Sequence, residues 1–344
     1  MHPIFTNSLR CVLVMAPFWL AGCGAPETAD SGGSTVELTA AGTTFPNTAG
    51  EQHWQRFGTQ ARELSNGLIE PKLLIYGQLG SEEQIVSGLR RGRVQFANLS
   101  AMAVSTLVPE AALLYTPFLF ESDAEADYIF DRYLTDVYRE LLAAKGLYLL
   151  SWYEIGFLQV YAKQPLLVPA DAQGRRFRVG ASLSAREFAQ ALGADVIPLG
   201  FADVVASLQT GLIEAGENSV SLYARTGIAG EAPYLTLTDH AYGVSLIVVQ
   251  KAWWDKQAPA VRVALSEAFP AAVETREDVR AESTQDLSAA RELGITVHEP
   301  SPAQREAWRD VSLPLQEQLA GEIGGRSAEI MGLIRQGQQE FRTQ

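Results

Sequence analysis

The sequence predicts an α/β protein folded as two lobes around a cleft. Three observations carry this. Short apolar strands alternate with amphipathic helices from Val36 onward, the alternation runs through two consecutive sets, and the chain then returns to strand and to a long helix. The first set is strand Lys72–Tyr76, helix Glu82–Arg91, strand Val94–Asn98, helix Asp123–Ala144 and strand Leu147–Trp152. Glu82 and Glu83 open their helix, where the macrodipole favours a carboxylate. The second set is strand Arg176–Gly180, helix Ala185–Leu192, strand Asp195–Pro198, helix Ala202–Thr210 and strand Leu212–Gly216. Pro233–Leu237 and Tyr242–Gln250 then read as two further strands, and Pro259 opens a helical run to Leu293, kinked at Pro270. Beyond Ile295–His298 the chain is helical and polar. Parallel pairing is expected to predominate, as in other alternating α/β chains. The late return to strand makes each lobe discontinuous: residues 36–155 with 244–283, and 156–243 with 284–330, followed by a tail at 331–344. A cleft then lies between the strand ends of the two lobes.

A chain of 344 residues, 47% hydrophobic and 19% charged, is large enough to bury a real core and too apolar to be disordered. Asp and Glu outnumber Lys and Arg by 40 to 27, for a formal charge of −13. A nucleic-acid binder needs a basic surface, so that class is excluded, and anionic membrane surfaces repel the chain as well.

Near the N-terminus, Arg10 precedes the apolar stretch Cys11–Leu20. A mature membrane-spanning helix needs about 20 apolar residues, whereas a shorter run of this kind suits a secretory leader. Leu20-Ala21-Gly22-Cys23 resembles the bacterial lipobox, in which the cysteine becomes the acylated first residue of the mature protein. Residues 1–22 are therefore expected to be a signal peptide, and 23–35 a lipid-anchored flexible tether rich in Gly, Ser and Thr. Cys11 and Cys23 are the two cysteines of the chain, so the mature protein is expected to hold no internal disulfide, cysteine nucleophile or CxxC zinc site.

His53, His240 and His298 remain after the leader, none at metal-ligand spacing, and GxSxG, GxGxxG and GxxxxGK are all missing. No metal or cofactor is implied. A glycosidase needs only two carboxylates far apart in sequence, so an enzyme stays open on these residues.

Residues 171–187, DAQGRRFRVGASLSARE, carry the most chemistry. In an extended segment Phe177 and Val179 share one face while Arg176 and Arg178 share the other. Ser184 and Glu187 have the spacing of a capping box, which would start a helix just beyond the arginines. A planar guanidinium near free backbone N–H groups forms a carboxylate site.

The stretch resembles the substrate-binding proteins of TRAP (tripartite ATP-independent periplasmic) transporters. Their motif Gly-Leu-Lys-Ile-Arg-Val, followed by a helix and Leu-Gly-Ala, is matched by Gly174–Val179 and Leu192-Gly193-Ala194. Phe201–Val204 and Ala206–Gly211 resemble the family's EVYxALQTG, Glu217-Asn218 ends its DGxEN, Gly77–Glu82 resembles its GQLGSE, and Thr116–Phe120 its LPFLF. The matches keep their order from Lys72 to Trp254.

The resemblance implies a periplasmic-binding-protein-like clamshell that captures a small organic anion, a carboxylate, and delivers it to integral-membrane TRAP subunits. It also implies that the protein is not an enzyme and that it works in the periplasm, touching the membrane through a lipid on Cys23. It assigns the carboxylate to Arg178, a polar contact to Asn218 and a pocket aromatic to Phe201. Leu158 stands where several branches carry a second arginine, Glu214-Ala215 replaces Asp-Gly, and Gly180 replaces a frequent proline. Loss of the second fork disfavours a dicarboxylate. Trp152, Tyr153, Phe157 and Tyr161 crowd the expected crossover; Trp152 and Phe157 are taken as ligand-contact candidates, with the core as their other place. A lipid-anchored enzyme acting on a carboxylate, and a carrier or sensor of a more apolar ligand, remain alternatives at this level.

Overall fold

The computed structural model describes residues 35–343. The leader, Cys23 and the tether up to Ser34 lie outside the described residues. Among the described residues nine strands form one sheet: β1 (Val36–Ala41), β2 (Ile69–Leu74), β3 (Phe96–Ser100), β4 (Leu147–Ala162), β5 (Arg176–Val179), β6 (Asp195–Pro198), β7 (Ala215–Ser219), β8 (Tyr234–Gln250) and β9 (Thr296–His298). Their order is β2-β1-β3-β8-β4-β7-β5-β6, with β9 on β8. The expectation of a largely parallel sheet needs amending, because the ladders β3/β8, β4/β7 and β4/β8 are antiparallel while the other five are parallel. Each antiparallel ladder involves at least one of the two long strands, and β4/β8 is made of both.

Those long strands, of 16 and 17 residues, join the lobes. The start of β4 and end of β8 pair with each other and, through β3, with β1 and β2. The end of β4 and start of β8 belong with β9, β7, β5 and β6. In the middle Gly156 lies opposite Gly243, beside a register shift between Glu154 and Gly156. Both positions require glycine. Gly156 has φ +91°, and a Cβ on Gly243 would sit 2.8 Å from the carbonyl oxygen of Gly156. Pro233–Leu237 and Tyr242–Gln250 thus belong to one strand. The polar Thr238-Asp239-His240 interrupts the apolar pattern, but Asp239 N–H donates to Gln159 Oε1 at 3.0 Å and the strand runs on.

Strand periodicity sorts each lobe into two cores, one per sheet face. In the first lobe Phe96, Ile247 and Val249 pack with Trp54, Phe57 and Phe269, while Ala97, Leu99, Leu246 and Val248 pack with Leu113, Phe130 and Tyr138. In the second, Phe177, Val179 and Ala215 pack with Phe188 and Trp308, while Tyr161 and Leu235 pack with Leu208 and Tyr223. The predicted helix Asp123–Ala144 is one helical run with a π-turn at Phe130–Leu134, where Thr135 Oγ1 donates to Phe130 O at 2.8 Å. The expected kink at Pro270 is a full break between helices Pro259–Ala268 and Ala272–Glu292.

Residues 331–344, set aside as a tail, require correction. Helix Ser327–Phe341 buries Ile330, Met331 and Ile334 in the first-lobe core beside Ile129 and Phe130. Its spacing of apolar residues three and four apart is the stripe that a packed helix needs.

Candidate functional site

Strand β5 puts both arginines on one face and separates them by position along the strand. Arg176, at the strand's start, is exposed and satisfied there, ion-paired to Glu214 at 3.1 Å with Nε donating to Gly211 O at 3.0 Å. Arg178 is 7% exposed, and its Nε donates to Leu199 O at 3.0 Å. Among the described residues it forms no ion pair, which leaves the outer edge of a buried guanidinium free for an anion. Its carbon lies 5.9 Å from the ring centre of Phe201.

Gly180 makes room for this edge. A Cβ there would lie 2.8 Å from Met102 Sδ and 3.9 Å from Arg178 Nη2, so the small residue in place of proline leaves room for Met102 of the first lobe beside the arginine. Ser182 rather than Ser184 caps the following helix, Leu183–Ala191, accepting from Ser184 N at 3.2 Å. The expected Ser184/Glu187 capping box is therefore corrected: Ser184 Oγ donates instead to Ala112 O at 2.6 Å.

On the adjacent strand β7, Gly216 stands in register with Arg178 and with Tyr161 of β4. Gly216 lies directly under the Tyr161 hydroxyl. Burial pushes the Tyr161 phenol up to about 12, with Arg178 pulling the other way. Asn218 shares the Gly216 face two residues on, is 7% exposed, and accepts from Ser219 N–H at 2.9 Å through Oδ1. Glu217 takes the opposite face. It accepts from His240 Nε2 at 2.7 Å, while His240 Nδ1 lies 2.8 Å from Thr238 Oγ1 and the ring stacks on Phe188 at 4.2 Å. The sequence reading passed over this pair because neither residue lies at metal or catalytic spacing. The signal available was the position of Glu217 beside Asn218.

The first lobe contributes the GQLGSE turn. Ser81 caps helix Glu82–Arg90, and Glu82 reaches the end of β3, accepting from Ser100 N–H and Ser100 Oγ at 2.7 Å each. Burial raises the Glu82 carboxyl above its ordinary value, against the pull of these bonds and of Arg178. Phe45, from the loop after β1, meets Phe201 edge-on at 6.0 Å, and Arg225 Nη1 donates to Asn47 O at 2.5 Å, so both lobes touch beside the arginine.

Arg178 and Asn218 thus lie on the neighbouring strands β5 and β7, with Phe201 in the short helical turn after β6. Trp152 and Phe157 join another aromatic group, with Phe130, Tyr138 and Tyr242. Trp152 is 5% exposed and its Nε1 donates to Thr135 Oγ1 at 2.9 Å, which corrects its placement as a ligand contact: it is a core residue. Phe157 is half-buried, edge-on to Tyr242 at 5.2 Å, next to the Gly156 crossover.

Residues 41–322 match the sequence model of bacterial extracellular solute-binding protein family 7. The chain belongs to that family. As a family 7 solute-binding protein it binds a small molecule, is not an enzyme, and serves a TRAP transporter from the periplasm. It is 29% identical over 245 residues to the 2,3-diketo-L-gulonate-binding periplasmic protein of Escherichia coli, covering 71% of this chain and 75% of that one. The sugar acid binding protein of Advenella mimigardefordensis, solved with galactonate, superposes with a TM-score of 0.80 at 25% identity, covering 88% of this chain and 99% of that one. A TRAP periplasmic solute-binding protein of Sulfurospirillum deleyianum, solved with succinate, gives a TM-score of 0.80 at 25% identity, with 88% and 98% covered. The two-lobed architecture of this family 7 protein is theirs.

Proposed function

We propose that the protein captures a small carboxylate on Arg178 and closes about the crossover at Gly156 and Gly243 before handing the solute to TRAP membrane subunits. The observation that carries the reading is the buried Arg178 guanidinium, with no carboxylate of the described residues paired to it. Asn218 and Phe201 flank the same anion, and the lobes divide at residues 155/156 and 243/244. Relatives that bind a diketogulonate, galactonate and succinate support the carboxylate class.

The solute that co-purifies is expected to leave the denatured protein chemically intact, as mass spectrometry will show. Added back at a hundredfold excess over Kd, it should raise stability by about 2.7 kcal/mol and shrink the radius of gyration in solution scattering. A tight ligand that leaves scattering unchanged removes closure, and one without a carboxylate removes the role of Arg178.

Membrane attachment is the second part of the proposal. Cys23 is the lipidated residue, and the lipid is the membrane contact. Cys23→Ser is expected to move the protein into the soluble fraction with an unchanged fold, because the tether precedes β1. A wild type without acyl mass, or a serine variant that stays with membranes, defeats the anchor.

A further inference from the structure

Taking the lipid-anchored reading of Cys23 as its setting, we infer that the end of the first lobe from which the chain leaves toward Cys23 is a membrane-facing surface. It lies on anionic phospholipid headgroups, adds a second contact to the lipid and holds the cleft away from the bilayer. The sheet register defines this end. Strands β2 and β3 run parallel to β1, Phe96 of β3 lies opposite Val249 of β8, and Leu147 of β4 lies opposite Gln250. So β1, β2, β3 and β4 all begin, and β8 ends, on one side. Backbone bonds join the connections there: Val36 N–H donates to Leu68 O at 2.7 Å, Gln250 N–H to Gln95 O at 2.8 Å and Lys251 N–H to Gly146 O at 2.8 Å. The described chain starts at Thr35, one residue before β1, at the same end. The cleft lies at the other end of these strands, where Ser100 closes β3 and Met102 reaches Gly180.

The charge of this end opposes that of the chain. Arg90, Arg91 and Arg93 precede β3, Lys145 precedes β4 and Lys256 follows β8; all five are exposed, and none is ion-paired among the described residues. Arg62 and Lys251 are neutralised by Glu70 and Asp255, which leaves Glu37 and Glu63 as the remaining acids of the connections and first strand turn. A formal charge of −13 would repel an anionic surface as a whole. Screening over about 8 Å at physiological ionic strength confines that repulsion, so headgroups meet the local excess of guanidinium and ammonium.

Apolar side chains stand among these cations. Leu64 ends helix Ala49–Leu64 and Leu68 precedes β2, and they are 46% and 39% exposed. Leucines that enter the headgroup boundary beside basic residues are the pattern of interfacial binding, and such a patch fixes an orientation that a lipid on a tether does not.

Sedimentation of the mature chain with vesicles tests the inference, with Cys23→Ser so that no lipid contributes. At about 0.05 M salt it should bind vesicles of phosphatidylglycerol and phosphatidylethanolamine at least about tenfold better than phosphatidylcholine, and the preference should shrink at about 0.15 M. Arg91→Glu/Arg93→Glu should lose about tenfold in binding. Lys163→Glu/Arg175→Glu, the same charge change in the second lobe, should lose little. Leu64→Ser/Leu68→Ser should lose several-fold and keep the salt dependence. Unchanged thermal unfolding shows that each variant is folded, and Lys145→Glu/Lys256→Glu repeats the test at the same end. No binding at low salt, equal binding to both vesicles, or equal losses from charge reversal in either lobe overturns the surface. Because this chain carries no lipid, its failure leaves the anchor standing, and a wild type without acyl mass leaves the surface standing.

Discussion

Arg178→Ala is expected to weaken binding of the native carboxylate by about 2–5 kcal/mol, or roughly 30-fold to several thousandfold in Kd, the range for truncating one partner of a buried charge pair. The size follows from burial. Arg178 is held by Leu199 O at 3.0 Å and screened from water, so a ligand carboxylate pairs with it at low dielectric. Arg178→Lys should recover part of the loss, because an ammonium restores the charge without the planar fork, and it has no counterpart to the Nε bond that orients the group. Arg176→Ala, two residues away at the exposed start of the strand, should change affinity little, since that side chain is exposed and already paired to Glu214. Calorimetry on the three variants with the co-purified solute checks the series. Equal losses at Arg176 and Arg178 would reduce the effect to long-range charge and remove the built site.

The same alternation explains what could be read from the sequence. In Arg176–Val179 the period of two puts both arginines on the face opposite Phe177 and Val179, and it is position along the strand that leaves Arg176, at its start, exposed and Arg178 buried. Strand Asp195–Pro198 was legible in full because Gly-Ala and a proline bracket a short apolar run. Packing decided what the sequence left obscure. Trp152 reads equally as pocket wall or core, and its place was settled by Phe130 and Tyr138, which come from a helix before it in the chain. The buried Glu217–His240 pair joins residues 23 apart through a strand exchange that no local pattern announces. Helix Ser327–Phe341 was hidden by its Gln-rich polar residues, although its apolar stripe packs into the first-lobe core. Leu158 is the opposite case: a departure visible in sequence, whose consequence, one cationic fork fewer, follows from the residue type alone, and the structure adds that the leucine is buried.

Arg280→Ala is expected to destabilise the protein by about 3 kcal/mol at neutral pH, and by less in acid. Glu154 lies two residues before Gly156, with its side chain 2% exposed. It accepts from Arg280 Nη2 at 2.6 Å, from Arg280 Nε at 3.2 Å and from Tyr242 OH at 2.7 Å. Tyr242 adjoins Gly243, so one carboxylate ties both crossover strands to helix Ala272–Glu292. Removing the arginine strands a buried charge, which costs about 3–5 kcal/mol when the site is dry. The lower end applies here, because Arg280 is 30% exposed and water can follow it out. Burial already raises the Glu154 carboxyl above its ordinary value, against the pull of Arg280 and Tyr242, so losing Arg280 raises it further. A carboxyl whose folded value lies above its unfolded one stabilises the fold while protonated and ceases to as pH rises through the folded value. The deficit of the variant should therefore be small near the ordinary glutamate range and grow above it. Arg280→Ala/Glu154→Gln, which buries no charge, should lose this pH dependence. Urea unfolding of wild type and both variants across that range measures the effect. A deficit of the same size at every pH would mean that Arg280 acts by packing and by its bond to Asp127 at 2.8 Å, and that Glu154 is no electrostatic tie at the crossover.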